Sequence, residues 1–206
     1  TYMGWTDACL NSAELLAYLK VTEYITGDSK WTEEYNKLID MGMEGGFILG
    51  TGTNTAYVEK NKNILKMPGL DPDGSMIINA ESGSFDKSPD SAFDKAVDAK
   101  SGNPGVGRFE KKIAGGYLGQ LGLEIYKAAA KEGMFSKKAA DAVCGLSSLE
   151  TMDFDNFCAS FRKEGRDNIL DSIFADADDA KMARRLGLPV FERAAVLTAI
   201  QLAAFV

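Results

Sequence analysis

Apolar residues along this chain recur with two different periods, and the places where the period changes mark its elements. Up to residue 42 the spacing is helical. Asn11 with Glu14 three residues on forms a capping box, Leu15, Leu16, Leu19 and Ile25 supply one apolar face, and Gly27 stops the helix. A second helix begins at Asp28 or Ser29, carries Trp31, Tyr35, Leu38 and Ile39 on one stripe, and ends at Gly42. Residues 1–42 are therefore predicted to form an αα-hairpin. The composition break near Met43 marks a domain boundary, with 43–206 as the second domain.

After Gly46 the period drops to two. Phe47-Ile48-Leu49 enters a Gly50-Thr51-Gly52-Thr53-Asn54 turn and Ala56-Tyr57-Val58 leaves it, which predicts a β-hairpin with a glycine-rich tip. Ser75 to Ala80, bounded by turn signals, reads as a third strand, and three consecutive strands with short connections imply an antiparallel meander. Residues 85–103 are mostly turn-forming, with a short helical turn around Ala92 to Asp98. A long helix is predicted after Asn103-Pro104-Gly105, with Phe109, Ile113, Tyr117, Leu121, Ile125 and Ala128 on one stripe and Gly133 at its end. Gly115, Gly116 and Gly119 would cost that helix about 1 kcal/mol each relative to alanine, so they predict close approach by another backbone. Further helices are expected at Ser136–Cys144, Asp155–Lys163 and Asp176–Leu186, the last closed by Gly187, before a final apolar helix starting at Pro189.

Composition narrows the chemistry. The 206 residues are 45% hydrophobic and 26% charged, ordinary for a soluble globular protein. A net charge of −7 argues against nucleic acid or an anionic membrane as partner, so any phosphate must be met by backbone amides, a metal ion or local cations. Histidine is absent, which rules out Ser-His-Asp and Cys-His catalysis and histidine metal sites. Cys9, Cys144 and Cys158 are far apart and odd in number, which favours a reducing compartment, and a cytoplasmic location is expected. Thr1 to Trp5 carries no recognisable secretory signal, and Val190 to Val206, interrupted by Glu192, Arg193 and Gln201, is expected to be a buried helix rather than a membrane span.

Three polar residues stand at the ends of apolar elements, where a side chain can face a cleft: Asn54 at the hairpin tip, Glu81 after the third strand and Glu110 in the first turn of the long helix. Sugar hydroxyls both donate and accept, and a carboxylate can accept from two at once, so such a set suits a monosaccharide. The alternative is that Asn54 supports its turn, Glu81 is solvated and Glu110 is a favourable first-turn charge. The glycines at the tip remove side chains, so backbone N–H groups and threonine hydroxyls can meet a phosphate there; a tight turn needs the same residues.

Several spaced motifs now add to one another. Gly46-Phe-Ile-Leu-Gly-Thr-Gly-Thr-Asn-Thr-Ala-Tyr-Val-Glu59, Ile77-Ile-Asn-Ala-Glu-Ser-Gly-Ser-Phe85, Phe93-Asp-Lys-Ala-Val-Asp98, Asn103-Pro-Gly105 and Phe109-Glu-Lys-Lys-Ile-Ala-Gly-Gly-Tyr-Leu-Gly119 resemble, in order and spacing, the large-domain motifs of the ATP-dependent hexokinase family. Leu149-Glu-Thr151 and Glu192-Arg-Ala-Ala195 resemble later family segments, so the likeness covers about residues 45–206. It implies an α/β actin-like ATPase (ribonuclease H-like) large lobe and transfer of the ATP γ-phosphate, with Mg2+, to the 6-hydroxyl of a hexose such as glucose. By the same resemblance Asn54, Glu81 and Glu110 would bind sugar hydroxyls, Gly50, Thr51 and Gly52 would lie along the nucleotide phosphates, and Thr151 would touch the nucleotide.

The sequence departs from the family pattern in places. Thr6-Asp7-Ala8 is the nearest match to the segment that carries the family's catalytic carboxylate, but the two helices predicted between Asp7 and Gly50 do not align with the family, so the base is unassigned. Gly107 stands where a polar residue is usual, and Asp155 where a small hydroxyl is usual. The chain is expected to hold an incomplete large lobe that is inactive by itself. Two alternatives remain open at this stage: a noncatalytic sugar-binding or structural module on the same fold, and a piece of an α/α carbohydrate-processing enzyme, whose toroid hairpins residues 12–39 resemble.

Overall fold

A computed structural model of the protein describes residues 45–159 and 167–204. The αα-hairpin predicted for 1–42, and Asp7 with it, lie outside the described residues. The described residues divide into two compact units, one containing those up to Ser82 together with those from Ala199, the other those from Gly83 to Thr198.

In the first unit, β1 (Gly45–Leu49), β2 (Thr53–Lys60) and β3 (Ser75–Asn79) form an antiparallel sheet in the order β1-β2-β3. The predicted meander is present, and it excludes the α/α-toroid alternative, which has no such sheet. Leu49 faces Thr53 across the β1-β2 turn, while Ala56 faces Asn79 and Lys60 faces Ser75 on the other side. Alternation along β2 sends Thr53 and Thr55 to a buried face and Asn54 and Ala56 to the opposite one.

The second unit is helical: α1 (Ala92–Lys100), α2 (Glu110–Ile113), α3 (Leu118–Lys131), α4 (Lys137–Gly145), α5 (Thr151–Cys158), α6 (Ile169–Ile173) and most of α7 (Ala177–Ala203), whose last turn belongs to the first unit. Its core is aromatic. Tyr126 meets Phe135, Phe154 and Phe174 edge to face at 5.3–6.2 Å between ring centres, an arrangement that contributes about 0.5–1.5 kcal/mol per pair beyond area burial. The Tyr126 hydroxyl donates to the Ala183 carbonyl at 3.0 Å, so the buried phenol is satisfied. Cys158 packs beside it, and burial pushes its thiol up to about 11, which leaves it an unreactive core residue.

Several predicted boundaries shift. The long helix after Gly105 is broken: α2 ends at Ile113, Ala114 to Tyr117 form turns, and α3 starts at Leu118. Gly115 and Gly116 therefore sit in the break rather than on a helix. Gly119 does mark a close approach, since a Cβ there would lie 2.2 Å from the Leu149 carbonyl oxygen. The helix expected from Asp155 begins earlier, at Thr151. The two C-terminal helices are one, because α7 runs through Gly187 and Pro189. Gly187 is explained by packing, with Cys158 Sγ and Tyr126 Oη at 2.5 and 2.8 Å from where its Cβ would be. Helix α7 is long and apolar enough to cross a membrane, and its burial is one-sided: Ala183, Val190 and Ala194 are buried, whereas Leu188, Val196, Ile200 and Leu202 are exposed.

Candidate functional site

Three polar side chains line up at the end of the β2-β3 ladder. Asn79 faces Ala56, so Asn54, two residues back on β2, is its diagonal neighbour on the same face of the sheet. Asn54 Nδ2 donates to Asn79 Oδ1 at 2.5 Å, and Asn79 Nδ2 donates to Glu81 Oε1 at 2.6 Å. Asn54 Oδ1 in turn accepts from the backbone N–H of Thr55 at 2.8 Å and of Ser82 at 3.3 Å. Both faces of the Asn54 carboxamide are thus assigned: oxygen toward the backbone, nitrogen toward the open side.

Glu81 has φ of +48°, the one left-handed backbone at a non-glycine among the described residues. Such a conformation costs about 1 kcal/mol or more for a residue with a Cβ, and it turns the chain out of β3 so that the carboxylate reaches back to Asn79. Asn79 was not among the residues singled out in the sequence. Its signal was position, since it precedes Glu81 by two on a strand whose residues alternate faces.

Beside this trio lies a mostly apolar concavity of about 170 Å3, formed by Gly46, Phe47, Ile48 and Ala56 together with Asn54, Thr55 and Asn79. The β1-β2 turn carries Gly50, Thr51 and Gly52. Gly50 N–H donates to Gly52 O at 2.9 Å, Thr53 Oγ1 donates to Ile48 O at 2.9 Å, and Thr51 is exposed at the tip. A side chain at Gly50 would meet nothing within 4 Å, but Gly50 is buried and its N–H is engaged within the turn, so what the tip offers a phosphate group is the exposed Thr51 with its hydroxyl and the half-buried backbone of Gly52.

Glu110 and Thr151 belong to the second unit. Glu110 opens α2, and its side chain lies over Gly107, where a Cβ would come 3.6 Å from Oε1. Gly107 has φ of +62°, which accounts for glycine at a position where the family resemblance expects a polar residue. Thr151 Oγ1 accepts from the Gly119 N–H at 2.8 Å, joining α5 to α3; a hydroxyl that accepts still carries a proton to donate. Asp155 is partly buried, and that burial raises its pKa.

The residues behind Glu110 are held by ion pairs. Lys112 is 2% exposed and donates to Ser88 O, Ser88 Oγ and Pro89 O at 2.6–3.0 Å while pairing with Asp90 at 2.7 Å. Arg108 also pairs with Asp90. Lys111 pairs with Asp98 at 2.7 Å and donates to Asn103 O at 2.8 Å. Asp94 completes a capping box with Ser91 and receives a two-pronged pair from Arg193 on α7, both bonds 2.8 Å. Among the described residues no group of three or more acidic or cysteine side chains could hold a metal ion.

A strand meander ending in polar side chains, followed by a helical unit, is the large-lobe architecture of the actin-like ATPase fold. The structure is similar to the hexokinase from Schistosoma mansoni complexed with glucose, with a TM-score of 0.61 at 25% identity over 77% of this chain and 38% of that one. A second hexokinase crystal structure matches with a TM-score of 0.58 at 28% identity over 78% of this chain and 35% of that one. The hexokinase family model matches residues 44–206, and the chain belongs to the hexokinase family. It is 47% identical over 100 residues to Hexokinase-5 of Oryza sativa subsp. japonica and 45% identical over 86 residues to the glucokinase of Aspergillus niger. Those stretches cover 47% and 37% of this chain, and the chain spans only 20% and 17% of the two relatives.

Proposed function

We propose that this chain carries the sugar-binding wall of a hexose kinase, a transferase that moves the γ-phosphate of ATP to the 6-hydroxyl of a hexose such as glucose. The observation that carries the reading is the relay Asn54, Asn79, Glu81, held open by a left-handed Glu81 within a segment matched by the hexokinase family. Strained backbone at a non-glycine residue clusters at ligand sites, which favours a carboxylate aimed at a ligand over one that is merely solvated. Asn54 Nδ2 would donate to a sugar hydroxyl and Glu81 would accept from one or two, while the apolar concavity covers the C–H face of the ring. Glu110, in the helical unit, is proposed as the third sugar ligand.

ATP supplies the transferable phosphoryl group, and the Gly50-Thr51-Gly52 turn would lie along its phosphates, with Thr51 exposed at the tip and Thr151 donating to the nucleotide. Magnesium would be held chiefly by phosphate oxygens and water rather than by a cage of protein carboxylates. The protein's part in such a reaction is to position both substrates and to exclude water. A cytoplasmic location is part of the same proposal.

Hydrogen exchange tests the sugar half directly. Saturating glucose is expected to slow amide exchange at residues 46–60 and 77–82; exchange unchanged by glucose would overturn the sugar reading. The transfer half is tested in the natural protein that carries this sequence, where Mg-ATP and glucose should yield hexose 6-phosphate.

A further inference from the structure

The last turn of α7 ends on a polar side chain that no step of the proposed chemistry uses. Gln201 is 7% exposed, and its Nε2 donates to Thr55 Oγ1 at 2.6 Å and to Ser82 Oγ. The two hydroxyls also bond each other at 3.0 Å, closing a triangle on the buried face of β2. Nitrogen toward the hydroxyls is the orientation that makes all three bonds, because Nε2 donates to both and leaves one hydroxyl proton for the bond between them. The Gln201 Oε1 atom has no partner among the described residues. An amide buried with one end unsatisfied costs stability, so its retention calls for a purpose at the other end.

That purpose is visible in the partners. The two residues whose hydroxyls Gln201 grips are the two whose backbone N–H groups hold Asn54 Oδ1, Thr55 at 2.8 Å and Ser82 at 3.3 Å. Each also adjoins a proposed sugar ligand, Thr55 following Asn54 and Ser82 following the left-handed Glu81. We propose that Gln201 is a positioning residue: from behind the sheet it fixes Thr55 and Ser82, and through their amides it orients the Asn54 carboxamide and pins the turn that presents Glu81. The sequence hides this link, because Gln201 is 146 residues from Thr55 and 119 from Ser82.

The functional half of this inference rests on the sugar reading of Asn54 and Glu81, and the test separates the two. In the whole chain, Gln201→Leu keeps bulk and removes both hydrogen bonds. It is expected to weaken glucose binding roughly tenfold, the equivalent of about 1.4 kcal/mol, and to speed amide exchange at Thr55 and Ser82 while Tyr57 and Val58 keep theirs. Leu202→Ala, in the same turn and exposed, should change neither readout. Gln201→Met replaces the leucine variant if that variant does not fold. A lowered melting temperature with unchanged affinity and unchanged exchange at the two amides would overturn the proposal. If the parent chain binds no glucose, the sugar reading falls, and the exchange comparison alone decides the latch: unaltered exchange at Thr55 and Ser82 overturns it, and faster exchange sustains it.

Discussion

Asn79 donates to Glu81 at 2.6 Å from two residues upstream, an arrangement that exists because Glu81 takes a left-handed backbone at the end of β3. Replacing that donor by an acceptor is the sharpest probe of it. Asn79→Asp would set two carboxylates within hydrogen-bond distance, so one must hold a proton or swing away. Glucose binding at about pH 7.5 is expected to fall at least tenfold, and to recover as pH drops toward about 5, where a shared proton restores a donor. Calorimetric titration at the two pH values measures this; equal affinity at both would show that Asn79 does not orient Glu81.

Glu81→Gly separates stability from binding. Glycine takes φ of +48° without strain, so the variant should be more stable by about 1 kcal/mol in denaturant melts while losing glucose binding. A variant less stable than the parent would mean that the Glu81 side chain holds the fold rather than a ligand.

Gly119→Ala should destabilise even though alanine favours helix by about 1 kcal/mol. Its Cβ would stand 2.2 Å from Leu149 O and 2.6 Å from Thr151 N, both backbone atoms that cannot step aside. A cost of about 2 kcal/mol or more is expected in thermal unfolding, together with loss of the Gly119 to Thr151 hydrogen bond. A stabilised variant would show that α5 does not pack on α3 at this point.

The Asp94 to Arg193 pair carries a pH signature. Burial acts to raise the Asp94 pKa, and hydrogen bonds from Arg193 and Ser91 more than offset it, leaving the carboxyl below its usual 3.8. A lowered folded pKa means that the stabilisation is fully present above about pH 4 and fades as pH falls through the folded value. Asp94→Asn should cost about 2 kcal/mol at neutral pH and flatten the acid limb of the stability curve below about pH 4. An acid limb identical in the variant and the parent would contradict the assignment.

What the sequence showed and hid follows from the range of the forces involved. The meander was legible because strand alternation and the glycine-rich turn are local signals, and Asn54 and Glu81 were legible because they adjoin apolar runs, although the structure sets Asn54 inside β2 rather than at the tip and Glu81 two residues past β3. The break between α2 and α3 was hidden, since the apolar stripe from Phe109 to Ala128 continues across it while Ala114 to Tyr117 form turns. Gly187 and Pro189 read as a helix stop because their usual local effect is to stop one. In the structure contacts with Cys158, Tyr126 and Phe154 occupy the space at Gly187 and α7 runs on. Asn79 and Gln201 carried no motif, and their roles come from register and from contacts far apart in sequence.

The role of this site turns on whether the Glu81 carboxylate, just past β3, touches a sugar. Titrating glucose into the parent chain and into Glu81→Gln, which keeps volume and removes charge, measures this directly. The predicted result is measurable binding by the parent and a loss of about 1–3 kcal/mol in the variant, as for a charge-assisted hydrogen bond, with folding unchanged. Equal affinity in the two, or none in the parent, would contradict it.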